Sequence, residues 1–362
     1  MAIVFFTGFP GFLGRELLPR VLRRSPDVRA VCLVQEKFLA QALAAVREME
    51  QGDPALGRVE LLVGDITARD LAVPPDRLDL ASIKTIYHLA AVYDLSVARD
   101  LAVRVNVDGT RNVLDLAARC PRLERLHYVS TCYVSGRYAG VFSEDDLEKG
   151  QSFNNFYEET KYEAEVLVRK RMQQGLRATI YRPSIVVGDS KTGATQKLDG
   201  PYYFLRWLMR QPKAAALMPV VGMPERFRFN TVPRDFVVDA ITYLSGRQET
   251  LGKTYQLADP NPPTCAEFLD IMARASGRRI LHVPLSAGFA RFALERIPGV
   301  HALLQLPPSL VDYMTHPTHY STDEATAALA PAGIAAPPLA AYAPAMADFV
   351  RHNLSLGSDA MV

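Results

Sequence analysis

Thr7-Gly8-Phe9-Pro10-Gly11-Phe12-Leu13-Gly14 stands between the apolar run Ala2-Ile3-Val4-Phe5-Phe6 and a helix-like stretch from Arg15 to Arg24. The order reads strand, glycine turn, helix. Three glycines at such a junction let the backbone approach a pyrophosphate closely, and the first free N–H groups of the helix, at the positive end of its dipole, point at it. The expected ligand is a dinucleotide cradled by Gly8, Gly11 and Gly14, with Phe12 and Leu13 beside it. The spacing is G-x-x-G-x-x-G rather than G-x-G-x-x-G, so a tight strand-to-helix turn without a ligand is the alternative that the motif alone leaves open.

Working outward, Val28 to Val34 reads as a second buried strand ending at Gln35-Glu36-Lys37. A carboxylate about 20 residues past the last glycine suits the ribose 2′-hydroxyl of NAD, whereas a neutral or basic tip suits the 2′-phosphate of NADP. Gln35 lies 21 residues past Gly14, with Arg15 and Lys37 at hand, which favours NADP. A strand end displaced by one residue would put Glu36 in the NAD position instead.

Strands then alternate with helices: Val59–Val63 running into Gly64-Asp65-Ile66, Thr85 to Ala91, a helix opening at Asn106-Val-Asp-Gly-Thr110, Leu123 to Val129, a helix over 157–175 and a strand over 178–187. That alternation predicts an α/β fold, a doubly wound parallel sheet. Ligands in such sheets bind at the carboxyl ends of the strands, where Gly8, Asp65, Ala90, Thr131 and Pro183 all fall. Asp65 is placed to accept from an adenine amino group or simply to cap its turn. His88 reads as a hydrogen-bonded strand residue rather than a catalytic one.

The 362 residues suggest two domains or one enlarged α/β domain. We expect a Rossmann domain over 1–187 completed by 228–258, a substrate segment over 188–227, and a mostly helical lid and C-terminal region over 259–362. Hydrophobic residues at 49% and charged residues at 22% exclude a disordered or fibrous chain. Forty-one Lys and Arg against 39 Asp and Glu form no one-sign block of the kind that binds nucleic acid. The four cysteines are scattered, which favours buried, reduced thiols. No leader pattern or membrane-length apolar run is evident, so a cytoplasmic protein is expected. His316-Pro-Thr-His319 reads as a turn, and no metal site is expected.

Tyr157-Glu-Glu-Thr-Lys161 carries the chemistry. Residues four apart share a helical face. A phenol of pKa about 10 beside an ammonium and a cationic nicotinamide becomes a usable acid–base group. Tyr157 would protonate a carbonyl oxygen as hydride arrives, and Thr131, at a strand end, would hold the same oxygen. On the substrate side, Tyr202, Tyr203, Phe204, Trp207, Leu208, Met209 and Leu217 suggest a pocket or portal for an apolar chain, although such aromatic stripes are more often core than binding site. Phe289 to Leu306 is amphipathic, fit for packing against the lid or for peripheral membrane contact.

Taken in order, the glycine motif, His88-Leu-Ala-Ala91, Asn106-Val-Asp-Gly-Thr110, Val129-Ser-Thr131, Tyr157-x-x-x-Lys161 and Tyr181-Arg-Pro-Ser184 resemble the motifs of the extended short-chain dehydrogenase/reductases. Ile185 to Gly193, Asp199-Gly-Pro-Tyr-Tyr203 and Asn230 to Asp239 look like the male-sterility type, which includes fatty acyl and thioester reductases. The likeness is to the amino-terminal half of bacterial two-part fatty acyl reductases. The resemblance implies a Thr131, Tyr157, Lys161 triad with Asn106 on the proton relay. It also implies that Leu89, Ala90 and Ala91 line the cofactor and that Pro183 and Ser184 approach the nicotinamide carboxamide. Gln35, where many relatives carry arginine, and Pro19, inside the first helix, depart from the pattern. The implied function is NADPH-dependent hydride transfer to an aldehyde, ketone or acyl-thioester carbonyl on an apolar substrate. The alternatives are a sugar-nucleotide epimerase or dehydratase, a small-ketone reductase, and a non-catalytic NADP-binding sensor.

Overall fold

The computed structural model describes residues 1–296 and 310–357. Seven strands form the main sheet: β1 (Ala2–Thr7), β2 (Val28–Val34), β3 (Val59–Val63), β4 (Ile83–His88), β5 (Arg125–Val129), β6 (Ala178–Pro183) and β7 (Thr254–Leu257). Their order is β3-β2-β1-β4-β5-β6-β7 and every pair is parallel. Both faces are covered, which is why β1 reads as an unbroken apolar run. Val4 and Phe6 face one core with Leu17, Leu18, Val21 and Leu22 of α1 (Gly14–Arg24), whereas Ile3 and Phe5 face the other. That second face is closed by α4 (Gly109–Arg119) through Val113, Leu114 and Leu116, and by α5 (Phe156–Gln173) through Ala164 and Val168. The helix α2 (Leu39–Gly52) covers the first face through Ala42, Ala45 and Val46.

Three boundaries differ from the sequence reading. The helix expected to open at Asn106 begins seven residues earlier, at α3 (Arg99–Ala102), and continues through a π-helical turn, Val103–Asp108, into α4. The strand expected over 178–187 breaks at Ser184. Beyond it Ile185–Val187 leaves the main sheet and pairs with Thr231–Pro233. The strand expected to reach Ala91 stops at His88, so Leu89-Ala90-Ala91 is loop.

A separate apolar core gathers the helices Pro201–Met209, Cys265–Ala275 and Leu339–His352 with a parallel ribbon, Ala216–Val221 against Ile280–Leu285. The helix Cys265–Ala275 starts at a capping box in which Thr264 and Glu267 satisfy each other's backbone N–H groups. The chain then returns to the first core, where Ala325 and Leu329 pack. Glu144, 3% exposed, holds this return by accepting from the backbone N–H groups of Gln256, Glu324 and Ala325 at 3.0, 2.8 and 2.9 Å.

The four cysteines are free and buried. His316 is buried and shares a 2.8 Å hydrogen bond with Tyr320 OH. Among the described residues no group of three or more His, Cys, Asp or Glu is placed to hold a metal ion, and no helix is long and apolar enough to cross a membrane. The amphipathic stretch Phe289 to Leu306 falls partly outside the described residues. Its first part lies in the helix Ala287–Arg296.

Candidate active site

A cavity of about 860 Å³ opens at the carboxyl ends of β1, β4, β5 and β6, within the range of small-molecule sites. Its floor is the glycine turn. Gly8 has φ +88°, and a Cβ there would stand 2.7 Å from Ala90 N. A Cβ on Gly11 or Gly14 would stand 2.8 or 2.5 Å from Gly8 O. Only glycine permits this closeness, so the turn keeps the bare backbone that a pyrophosphate needs. Thr7 ties the neighbouring loop down: its hydroxyl accepts from Ala90 N at 3.2 Å, and His88 Nδ1 lies 2.7 Å from it. His88 Nε2 meets Thr110 Oγ1 at 3.0 Å, and burial pushes the imidazole pKa down to about 3. It is a neutral, hydrogen-bonded structural histidine.

Phe12, Leu13, Gln35, Lys37, Asp65, Ile66, Leu89, Ala90 and Ala91 all line the cavity. Gln35 Nε2 donates to Asp65 Oδ2 at 2.8 Å, and Asp65 Oδ1 caps its turn by accepting from Thr67 N at 2.8 Å. Two of the side chains weighed for cofactor choice are elsewhere. Arg15 forms an ion pair with Glu48 and does not line the cavity, because its position on α1 turns it toward α2. Glu36 is exposed and also lies off the cavity, so the strand ends at the residue expected from the sequence.

Thr131, Tyr157, Lys161, Pro183 and Ser184 meet at the same cavity. The Thr131 hydroxyl lies beside the Tyr157 phenol, donates to Pro183 O at 3.3 Å, and accepts from Tyr133 N at 3.3 Å. Burial pushes the Tyr157 pKa up to about 12, so the phenol holds its proton at neutral pH. Lys161, 4% exposed, donates to Val129 O at 2.8 Å and Tyr128 OH at 3.1 Å. Burial pushes its pKa down to about 7, opposed by the charge of Glu165. Ser184 lines the cavity, and its Oγ is buried without a hydrogen-bond partner.

The fold does not bring Asn106, expected on the proton relay, to the cavity. Its carboxamide accepts from Val92 N at 2.9 Å and donates to Val92 O and Thr160 Oγ1, both at 3.0 Å. The side chain is a clamp between the loop after β4 and α5, and the π-helical turn is what aims it there.

Beneath the triad, Glu165 and Arg182 are both 0% exposed and joined at 2.6 Å. Ser130 Oγ and Arg169 Nε donate to the same carboxylate at 2.6 and 3.0 Å. Arg182 Nη2 also donates to Asp146 O at 2.6 Å. One buried carboxylate thus fixes α5, the end of β5 and β6 with respect to one another.

Most of the aromatic stripe packs as core rather than lining the cavity. Phe204 packs edge-on against Phe229 and Phe268, and Trp207 Nε1 donates to Leu217 O at 2.9 Å. Both belong to the second core, and of that stripe only Tyr203 lines the cavity. The wall beyond the triad comes from Tyr93, Leu95, Tyr133, Phe229, Leu310 and Tyr313. A polar edge joins it: Lys197 is ion-paired with Asp199 and sits 4.2 Å from the Tyr93 ring centroid. No local motif marks these residues, which are separated by up to 220 positions.

The family model described as male sterility protein matches residues 6–241. The chain is 29% identical over 280 residues to a linear gramicidin synthase of Brevibacillus parabrevis, covering 74% of this chain and 5% of that protein. It is 28% identical over 346 residues to aldehyde reductase lnbA of Aspergillus flavus, covering 88% of this chain and 32% of the relative. The chain therefore spans about a third or less of the length of these relatives. Among solved structures, it superimposes on the terminal R domain from the myxalamid PKS-NRPS biosynthetic pathway with a TM-score of 0.82 and 28% identity, covering 99% of this chain and 93% of that one.

Proposed function

From the premise that the chain belongs to the male sterility protein family, NAD(P)-dependent reductases of the extended short-chain dehydrogenase/reductase type, we propose that it uses NADPH to reduce the carbonyl of an apolar acyl thioester or aldehyde. The carrying observation is that one cavity joins the glycine cradle, the unpartnered Ser184 hydroxyl and the Thr131, Tyr157, Lys161 group. Gly8, Gly11 and Gly14 would hold the pyrophosphate of the cofactor, and Ser184 its carboxamide. Gln35 and Lys37 line the cavity and Glu36 does not, which favours the phosphorylated ribose.

The bound nicotinamide supplies the hydride. Tyr157, kept protonated by burial, gives its proton to the carbonyl oxygen, and Thr131 holds that oxygen in line. Lys161 holds the ribose and, once charged, stabilises the phenolate left behind. Hydride and proton together give an alcohol from an aldehyde. From a thioester they give a thiohemiacetal that releases thiol and aldehyde. The half-apolar wall of Leu95, Phe229 and Leu310 supports an aliphatic substrate, as does the likeness to a protein named as an aldehyde reductase.

The test is NADPH oxidation over acyl-CoA thioesters, aldehydes, ketones and sugar nucleotides, alongside Tyr157→Phe. Turnover of aliphatic thioesters or aldehydes that Tyr157→Phe abolishes supports the proposal. Cofactor binding without turnover on any carbonyl would leave a sensor, and activity confined to sugar nucleotides would replace the acyl reading.

A further inference from the structure

Six of the twelve exposed large apolar side chains among the described residues fall within one part of the molecule: Leu217, Met223, Leu281, Val283, Phe289 and Phe292. The parallel ribbon explains three of them. Ala216, Met218 and Val220 turn inward to the second core, and the register pairs Leu217 with Leu281 and Pro219 with Val283 on the opposite face. Leu217 is 52% and Leu281 57% exposed. At the far end of that face the helix Ala287–Arg296 lies over Val221 and Leu285, and it does so through Ala287 and Ala290. Small residues make its contact. Phe289 and Phe292, three apart on another side of the helix, are left 52% and 55% exposed. Met223 follows the turn at Gly222, whose N–H donates to Leu285 O at 2.9 Å.

The segments that form this face are net basic. Residues 206–230 and 263–296 carry ten Lys and Arg against four Asp and Glu, although the whole chain has a formal charge of only +2. Lys213 and Arg279 are exposed and joined by a backbone hydrogen bond at the Leu217/Leu281 end, and Arg226 is exposed near Met223. The helix is moored to the cavity wall, since Arg291 pairs with Asp312 and Tyr313 lines the cavity. Trp207 links the start of the ribbon to the helix Pro201–Met209, whose Pro201 and Tyr203 also line it.

We propose that this face docks on an anionic lipid surface, with Leu217, Leu281, Phe289 and Phe292 entering the headgroup and acyl boundary and Lys213, Arg226 and Arg279 meeting the phosphates. Leucine and phenylalanine beside basic side chains are the composition that such an interface selects. The inference rests on the apolar-substrate reading for its purpose, because docking would bring the cavity wall to a store of aliphatic carbonyl compounds.

Flotation of the full chain with phosphatidylcholine vesicles, with and without phosphatidylglycerol, tests it without turnover. Binding is expected only when phosphatidylglycerol is present, and it should weaken as salt rises. Lys213→Ala and Arg279→Ala should each weaken it by about fivefold. Phe289→Glu with Phe292→Glu should abolish it, leaving the melting temperature and activity on a short soluble aldehyde unchanged. A wild-type protein that does not float with anionic vesicles overturns the proposal, whatever the substrate screen shows. So does a wild-type dimer in vesicle-free ultracentrifugation that the phenylalanine variants dissociate, which would make the face a contact between two copies.

Discussion

Tyr157 and Lys161 share one helix face, yet burial moves their pKa values in opposite directions, up to about 12 and down to about 7. The phenol is therefore an acid throughout the neutral range, as a proton donor to a carbonyl must be. Tyr157→Phe should lower kcat by at least about a hundredfold while cofactor affinity, read by fluorescence titration, stays near wild type. Lys161 gives a pH dependence with a definite sign. Its ammonium is lost as pH rises through about 7, so kcat/KM for the reduced cofactor should fall above that pH. Stability of the cofactor-free protein should move the other way. An unfolded lysine keeps its proton until about pH 10.4, so between about 7 and 10 the unfolded state binds more protons and this residue makes the native state more stable with rising pH. A kcat/KM profile flat across pH 6 to 9 would mean that Lys161 is charged in the working enzyme or is not needed. Glu165 poses a separate case. Replacing it by glutamine leaves Arg182 charged and 0% exposed, with the partner carboxylate gone. The expected cost is about 3–5 kcal/mol in urea unfolding, more than the loss from any exposed ion pair.

Among the elements, the strand, turn and helix that open the chain work through what they lack. A methyl group at Gly14 would meet Gly8 O at 2.5 Å, backbone against side chain, so Gly14→Ala must move the turn. It should weaken cofactor binding by at least tenfold and destabilise the fold by about 1–3 kcal/mol. Gly52, at the end of α2, has a negative φ, and a Cβ added there would meet nothing within 4 Å. There the same substitution should stabilise by about 0.4–1 kcal/mol with no change in cofactor affinity, measured on the same pair of assays. At the other end of the sheet, Arg125 Nη1 donates to Arg247 O at 2.6 Å and Arg24 donates to Thr242 O. Both guanidinium groups thus sit at the carboxyl end of the helix Arg234–Ser245, where its dipole favours a cation. That arrangement accounts for the basic cluster there without a ligand.

Across the whole molecule, two cores meet at one cavity, and on the proposed acyl reading substrate choice depends on which side chains of the second core reach it. Each buried methylene contributes about 0.8 kcal/mol, or about fourfold in kcat/KM, until the wall is filled. Leu95 is half-buried and on the cavity, so Leu95→Asn should flatten the dependence on chain length at an unchanged melting temperature. Phe204 is 3% exposed and off the cavity, so Phe204→Asp should lower the melting temperature and depress all substrates alike. A chain-length slope that survives Leu95→Asn would put the acyl chain elsewhere.

The sequence alone determined whatever depends on neighbours along the chain. Glycine spacing declared the turn, apolar runs declared the strands of a doubly covered sheet, and the four-residue step put Tyr157 and Lys161 on one face. Tertiary structure decided the rest, because periodicity says that a side chain is buried but not against what. Phe204 and Trp207 look alike whether they line a site or fill a core, and only the packing of Phe229, Phe268 and Leu217 made them core. Arg15 and Lys37 look equally basic, and only the position of Glu48 drew Arg15 away from the cavity. Asn106 was legible as a motif but not as a clamp, since Val92 and Thr160 meet it only once a π-helical turn has rotated it. The wall from Tyr93 to Tyr313 left no local trace, because contacts between distant segments are made by the closing of the fold.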